Sequence, residues 1–402
     1  MILAQNHPQL LNGNKNGIII VIGLLVKRIA QISFLIFLIG LLGFRSEPVE
    51  KPVTYQSDLP VYNVALFLPL HLHNRTRRNS DTSTAIYDYY EGMQAAIKDL
   101  EKMGFNMQLH VFDTELDSMR VDSFFKLPRL QKMNTIIGPI YPKNHAIAER
   151  FCGVTKIPLI SPFIHYDRTT KDTFPHINLV PSDSISVFGL GQGMARLYPE
   201  YTLIVVSDGS SKHYKDRKLF KEGFELASKK PIIQIPQHDL TKLYAMSGKK
   251  NVVVYAPTDS LPVLIKMANL AAVGNIKLAL DKDYKKMKGF GKAQMMRAKV
   301  HFQDNNYYDR YAPDALAFRF MYREVYKWEA NSYHFRGYDQ MIWLGQSMMT
   351  FKQTYPKNLG NAFYPGIMQQ FCLHAVKNGG YENAGCKILN YNSKGVRQEI
   401  KQ

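Results

Sequence analysis

Two short apolar runs, each ending in a small residue and a proline, constrain this chain more than any other feature. They are Thr135-Ile136-Ile137-Gly138-Pro139 and Ile157-Pro158-Leu159-Ile160-Ser161-Pro162. Each reads as a strand buried on both faces, with β-branched residues, no polar alternation and an abrupt stop. Between them Ala146, Ile147, Phe151 and Val154 recur at helical spacing. Strand, helix and strand, with loops at both carboxyl ends, predict a parallel crossover unit. In open α/β sheets ligands bind just outside those carboxyl ends, so the feature points to a fold and to a place for a site.

The alternation extends in both directions. An apolar strand over 64–68 ends at Pro69, and Ile86, Tyr89, Met93, Ala96 and Leu100 then mark one face of a helix that Gly104 stops. With the strand over 107–112, the chain up to Pro181 reads as a doubly wound half. Strands over 202–206, 231–235, 251–255 and 276–280, with helical stretches between them, predict a second half of the same kind. The tail differs: amphipathic helices over 311–328 and from Arg336 to Met348 precede two strand-like runs, 371–376 and 386–391. Those runs flank Asn378-Gly379-Gly380-Tyr381-Glu382-Asn383, a hairpin signal. Two α/β halves and a mixed tail imply that the chain crosses between lobes more than twice.

At 402 residues two lobes are the default, and 46% hydrophobic with 21% charged residues is ordinary for a globular protein. The net charge of +18 is unusual. No zinc spacing, RNA-binding signature or dense basic block accompanies it, so the excess reads as a solvated basic surface without a nucleic-acid partner. Near the amino terminus, apolar residues 18–26 and 32–44 flank Lys27-Arg28. One membrane helix through both would carry two charges near its centre, at about 2.5–3.5 kcal/mol each. Lys27-Arg28 instead reads as the basic region of an export signal with 32–44 as its apolar core. No A-x-A site follows. Leu41-Leu42-Gly43-Phe44 resembles a lipoprotein box with Phe where the acylated Cys would stand, which excludes lipid attachment there. Residues 1–46 are therefore expected to be an extension plus a signal peptide or an uncleaved inner-membrane anchor, and 47–60, with three prolines, a tether.

Several motifs together resemble a known family. Asn63-Val64-Ala65-Leu66-Phe67-Leu68-Pro69-Leu70 and Tyr87-Asp88-Tyr89-Tyr90-Glu91-Gly92 resemble the opening of type 1 periplasmic binding proteins. Ile136-Ile137-Gly138-Pro139, Ile157–Pro162, Arg336-Gly337-Tyr338-Asp339 and Gly380-Tyr381-Glu382-Asn383 follow in the same order. Within that family the chain is most similar to the Bacteroidetes relatives of branched-chain amino-acid receptors, often found beside LysM modules. The resemblance covers Tyr62 to the end. It implies two Rossmann-like lobes joined by a three-segment hinge, with 61–181 and 305–362 in lobe 1 and 182–304 and 363–402 in lobe 2. The last hairpin would belong to the second lobe, and the two tail helices would pack on the first.

The resemblance also implies a cleft lined by strand carboxyl ends, where hydroxyls and backbone N–H groups hold a ligand carboxylate. Carried over, Ser161 is the first candidate, either as a donor to an anion or as a turn residue, with Tyr141 beside it. From the second lobe come Asp208 and Tyr214 after one strand and Tyr255 and Thr258 at the end of another. Tyr338 and Asp339 would open a helix at the cleft, Asp339 either as ligand contact or as cap. The Ser/Ala-Thr grip of amino-acid receptors is missing, and Phe163-Ile164-His165 stands in its place.

Other patterns carry less. Gly189-Leu190-Gly191-Gln192-Gly193 departs from a dinucleotide fingerprint, because its third glycine comes one position early and no apolar strand leads directly into it. His71 and His73 lack a third metal ligand and read as solvated. Asn74-Arg75-Thr76 is a chance glycosylation sequon if the chain is bacterial. Cys372 and Cys386 could bridge across the hairpin, whereas Cys152 reads as core. No nucleophile elbow, metalloprotease helix or P-loop occurs. The expectation is a non-enzymatic, exported ligand-binding protein without cofactor, taking a small anionic or amino-acid-like ligand between its lobes. The alternative is a ligand-free scaffold of the same fold that regulates a cell-envelope (peptidoglycan) enzyme through protein contacts; the expected protein partner is a cell-envelope enzyme or a transporter.

Overall fold

The computed structural model describes residues 61–73, 81–167, 173–280, 284, 287–361, 363–392 and 394–400. The expected signal or anchor, the tether and the Asn74 sequon lie outside them. Among the described residues no helix is long and apolar enough to cross a membrane.

Tyr62–Leu68 forms β1, and its side chains feed two cores at once. Val64, Leu66 and Leu68 enter one apolar cluster, while Ala65 and Phe67 enter the cluster on the other face. A strand buried on both faces needs helices above and below it. Around it run β2 (Met107–Asp113), β3 (Thr135–Ile137), β4 (Leu159–Ser161) and β5 (His176–Asn178), all parallel. The second sheet comprises β6 (Thr202–Ser207), β7 (Ile232–Pro236), β8 (Val252–Tyr255) and β9 (Ile276–Ala279), parallel in the order β7-β6-β8-β9. A third small sheet joins β10 (Phe302–Gln303) to strands of the tail.

The tail departs from expectation. Phe371 to Tyr391 was expected to form one hairpin in the second lobe, but the structure divides it. After β11 (Phe363–Pro365), strands β12 (Gln370–Val376) and β13 (Gly380–Asn383) pair antiparallel around Lys377–Gly379. β13 then runs parallel to β5, with Tyr381 opposite Ile177, so the first sheet reads β11-β12-β13-β5-β4-β3-β1-β2. Only β14 (Ile388–Tyr391) and β15 (Arg397–Glu399) leave to pair with β10. The reason is burial: Phe371 and Leu373 fill the first core, with Phe371 stacked on Trp343 at 5.3 Å. Asn383 locks the arrangement by accepting from Cys372 N–H at 2.9 Å and donating to the Leu179 and Gln370 carbonyls. The chain thus crosses between the sheets three times, near 179–182, 303–312 and 384–387. All three cysteines are free, Cys152 being buried in the core.

Six helices matter for the site: α1 (Asp81–Lys102), α2 (Pro142–Thr155), α3 (Asp183–Leu197), α4 (Tyr214–Ala227), α5 (Pro313–Tyr326) and α6 (Ser332–Phe351). In the first lobe α6 lies against α1, and glycines of two sequence motifs make that approach possible. A Cβ on Gly337 would sit 2.0 Å from the Tyr89 carbonyl oxygen, and one on Gly92 would sit 2.1 Å from that of His334. The second lobe repeats the device between α3 and α4. Cβ atoms on Gly191 and Gly223 would lie 2.2 Å from the Phe220 oxygen and 2.1 Å from the Phe188 oxygen. The Gly189–Gly193 pattern is therefore helix-crossing sequence, not a phosphate loop.

Gly337→Ala is expected to destabilise the protein by about 1–3 kcal/mol through overpacking. The helix-propensity gain of about 1 kcal/mol that Ala ordinarily brings offsets only part of the clash. Urea denaturation measures the difference. A stability equal to or above wild type would show that the two backbones do not need this contact.

The interlobe cavity as candidate functional site

Between the sheets lies a cavity of ≈ 380 Å³. Its first-lobe wall comes from Phe163 after β4, Arg336 on α6 and Gln369 before β12. The floor is made by two crossings, through Val180-Pro181 and through Gln303 to Asn306. α3 and α4 supply the second-lobe wall. Ser182 starts α3 by accepting from Ile185 N–H at 3.2 Å, which points Asp183, Val187 and Leu190 along one helical face at the cavity; Asp216 comes from the first turn of α4.

Arg336 is the distinctive group. Its guanidinium lies over the Phe163 ring, 5.1 Å from the centroid, and donates to Asn306 Oδ1. Among the described residues no carboxylate forms an ion pair with it. Asp304 acts on it only at longer range and is itself paired with Arg397. Burial lowers its pKa, but a guanidinium starts so high that it stays charged. A half-buried cation with spare N–H donors at a cavity wall can take a planar anion in bidentate fashion. Nearby, the buried Oδ1 of Asn305 also has no hydrogen-bond partner.

A polar framework holds this wall. Gln340 accepts from the Tyr89 hydroxyl at 2.7 Å and donates to the Pro162 carbonyl and to Gln369 Oε1, both at 2.9 Å. Tyr89 in turn packs on Phe163 at 4.5 Å. Asp339, fully buried, accepts from the N–H groups of Ile367, Met368 and Gln369 at 2.9, 2.7 and 2.9 Å. Burial pushes its carboxyl up to about 6, while the three N–H donors and Lys387 pull the other way.

None of the eight residues expected at the cleft lines this cavity. Ser161 is fully buried, and its hydroxyl lies 3.0 Å from His176 Nε2 inside the first lobe. Tyr255 is also fully buried, stacked on Phe220 at 4.0 Å in the second core. Asp339 is neither ligand contact nor cap, because α6 starts two turns earlier at Asn331 and the carboxylate serves the 367–369 backbone. Tyr338 donates to Asp99 at 3.0 Å and packs on Phe318. Tyr141 precedes α2 against the first core, and Tyr214 is solvent-exposed at the start of α4. Asp208 pairs with Arg217 at 2.6 Å and with Ser210, while Thr258 donates to Gln237 at 3.2 Å. Ser161 and Asp208 thus sit at strand ends, as the alternation implied, but their side chains serve the lobes that carry them.

Comparison with solved structures brings the architecture into focus, although no protein-family model and no curated protein sequence matches the chain. A protein assigned as a branched-chain amino acid ABC transporter from Rhodospirillum rubrum superposes with a TM-score of 0.56 at 11% identity. The match covers 85% of this chain and 100% of that one. Full-length LpoA from Haemophilus influenzae gives 0.52 at 15% identity, over 85% of this chain and 59% of LpoA. The LpoA C-domain, a regulator of PBP1A, gives 0.50 at 14% identity, over 84% of this chain and 100% of the domain. The chain has the type 1 periplasmic binding protein fold. The fold hosts both transport and regulatory proteins, so function has to be argued from the cavity.

Within this periplasmic-binding-protein fold one further group could hold a metal. Asp88, Glu91 and His334 bring three ligand atoms within 4.8 Å of one another. His334 Nδ1 lies 3.0 Å from both the backbone N–H and the Oδ1 of Asn331, and its Nε2 lies 2.7 Å from the Tyr322 hydroxyl. The group is a polar junction between α1, α5 and α6.

The buried histidines make the fold acid-sensitive. Burial lowers His145, 3.2 Å from His176, and His301, beside Tyr198, to about 4 each. Both are neutral in the folded protein and charge near 6.5 when it unfolds, so stability falls as pH drops from 6.5 towards 4. Asp339, raised to about 6, has the opposite sign and recovers part of the loss. The net expected loss between pH 7 and 4.5 is on the order of 3 kcal/mol, read by urea denaturation at both pH values. Unchanged stability would mean that these imidazoles are not held neutral.

Proposed function

We propose that this chain is a non-enzymatic, exported binding protein that holds a small carboxylate, an amino acid or a related anion, in its interlobe cavity. The observation that carries the reading is Arg336: a half-buried guanidinium at the cavity wall, stacked on Phe163, with no carboxylate paired to it. Burying an unpaired cation costs stability, and an anionic ligand compensates for that cost. The amino-terminal apolar segment would deliver the folded part to the periplasmic side and tether it to the inner membrane. The scaffold alternative, in which the fold regulates an envelope enzyme as LpoA does for PBP1A, is best served by a cleft filled with its own side chains. The open volume of ≈ 380 Å³ favours a ligand instead.

A thermal-shift panel of amino acids, short peptides and simple carboxylates tests the reading. A ligand present at a hundred times its Kd stabilises the folded state by about 2.7 kcal/mol, which raises the midpoint measurably. At least one carboxylate is expected to do so. No shift with any of them would overturn the proposal and bring the scaffold alternative forward.

A further inference from the structure

The orientation of one carboxamide decides what the first-lobe wall offers a ligand. The Pro162 carbonyl only accepts, so the Gln340 atom 2.9 Å from it is the nitrogen. Gln340 Oε1 then faces the Tyr89 hydroxyl, and the second N–H of Nε2 turns to Gln369, whose near atom is therefore its oxygen. Gln369 is 3% exposed and lines the cavity, and its Nε2 has no hydrogen bond among the described residues. Two N–H donors are thus left over on a buried side chain at the cavity. Gln340, which holds that side chain, follows Arg336 by one turn on the same face of α6. The side chains of this wall, Phe163, Arg336 and Gln369, supply a ring and N–H donors but no free acceptor. Three carboxylates complete the lining, Asp183, Asp216 and Asp304. All three have partners within the protein, Arg397 in the case of Asp304, which also acts on Arg336, so none is counted as a ligand contact.

We infer that Gln369 is a specificity-determining residue that donates to an acceptor on the carbon next to the carboxylate held by Arg336, which makes an α-oxo acid the preferred ligand. The inference rests on the reading of the cavity as a carboxylate site and specifies the group beside that carboxylate. An α-oxo acid carries a carbonyl oxygen there and no proton, which suits guanidinium and carboxamide N–H donors on one wall. An α-amino acid carries an ammonium at the same place, a donor facing donors and a cation beside Arg336. It binds through its carboxylate alone and leaves the Gln369 donors without an acceptor. Gln340 is a positioning residue: by holding Gln369 Oε1 it prevents the carboxamide from turning its oxygen to the cavity.

The test is isothermal titration of the full chain with α-oxohexanoate, L-norleucine and hexanoate, which share one carbon skeleton and differ only at the α carbon. The oxo acid is expected to bind about tenfold more tightly than either of the others. Gln369→Glu keeps an acceptor for Gln340 and replaces the Nε2 donors by a carboxylate oxygen, so the advantage of the oxo acid over hexanoate should disappear. Gln340→Glu frees the Gln369 carboxamide to turn and should shrink the same advantage with Gln369 intact. A merely structural role would weaken both acids alike and leave their ratio unchanged. Norleucine or hexanoate binding as tightly as the oxo acid, or an advantage that survives both variants, overturns this inference and leaves the ligand reading standing. Absence of heat with all three compounds also overturns it, and only the absence of thermal stabilisation by every carboxylate of the panel overturns the ligand reading as well.

Discussion

Asp339→Ala is expected to lower the free energy of unfolding by about 3–5 kcal/mol, the range for removing one partner of a buried charged contact. The carboxylate is fully buried and accepts three backbone N–H groups of the 367–369 turn at 2.7–2.9 Å. Alanine leaves those donors without an acceptor, at about 1–3 kcal/mol for each that water cannot reach. The turn leads directly into β12 and places Gln369 at the cavity, so the variant should also loosen the ligand wall. Asp339→Asn, which keeps the shape and one acceptor oxygen, should lose less. The pH dependence follows from the carboxyl being raised to about 6. Its contribution is fully present below the unfolded value near 3.9 and shrinks as pH rises through 6. The gap between wild type and Asp339→Ala should therefore be wider at pH 5 than at pH 7. Equal stability of the alanine variant would show that the turn finds other acceptors.

Arg336→Gln has the largest expected effect on binding, a rise in Kd of about thirtyfold or more. Truncating one partner of a buried, hydrogen-bonded charge pair typically costs about 2–5 kcal/mol, and every 1.4 kcal/mol is a factor of ten. The ligand-free protein should behave in the opposite way. Arg336 is half-buried without a carboxylate, so glutamine removes a desolvated charge and the unfolding midpoint should hold or rise. Loss of binding together with retained stability separates a ligand anchor from a structural residue. If midpoint and affinity fell together, Arg336 would be part of the framework.

Much of this fold is legible in the sequence because it rests on periodicity. The apolar runs of β1, β3 and β4 announce parallel strands, and the alternation announces two α/β halves. Glycines 92 and 337 stand in motifs that resemble the family, and the structure supplies their physical reason in the contact between α1 and α6. The tail misled because Gly380-Tyr381-Glu382-Asn383 has the composition of a turn, while buried Tyr381 and Asn383 make it a strand. Ser161 and Tyr255 misled for a related reason: strands of three and four residues hold too few positions to say which face a strand-end side chain takes. Arg336 does leave a signal in the sequence. It is a lone cation among His334, Phe335, Gly337, Asp339 and Gln340, all buried, and a charge kept in such a stretch needs a partner. Asp216 left none, because an acid in the first turn of a helix is commonplace.

The most direct test of the central claim is a crystal structure of the protein with the amino acid that stabilises it most. The ligand carboxylate is predicted to lie between the lobes in bidentate contact with the Arg336 guanidinium, at about 2.7–2.9 Å. A ligand bound elsewhere on the molecule, with Arg336 still directed only at Asn306 and Phe163, would contradict it.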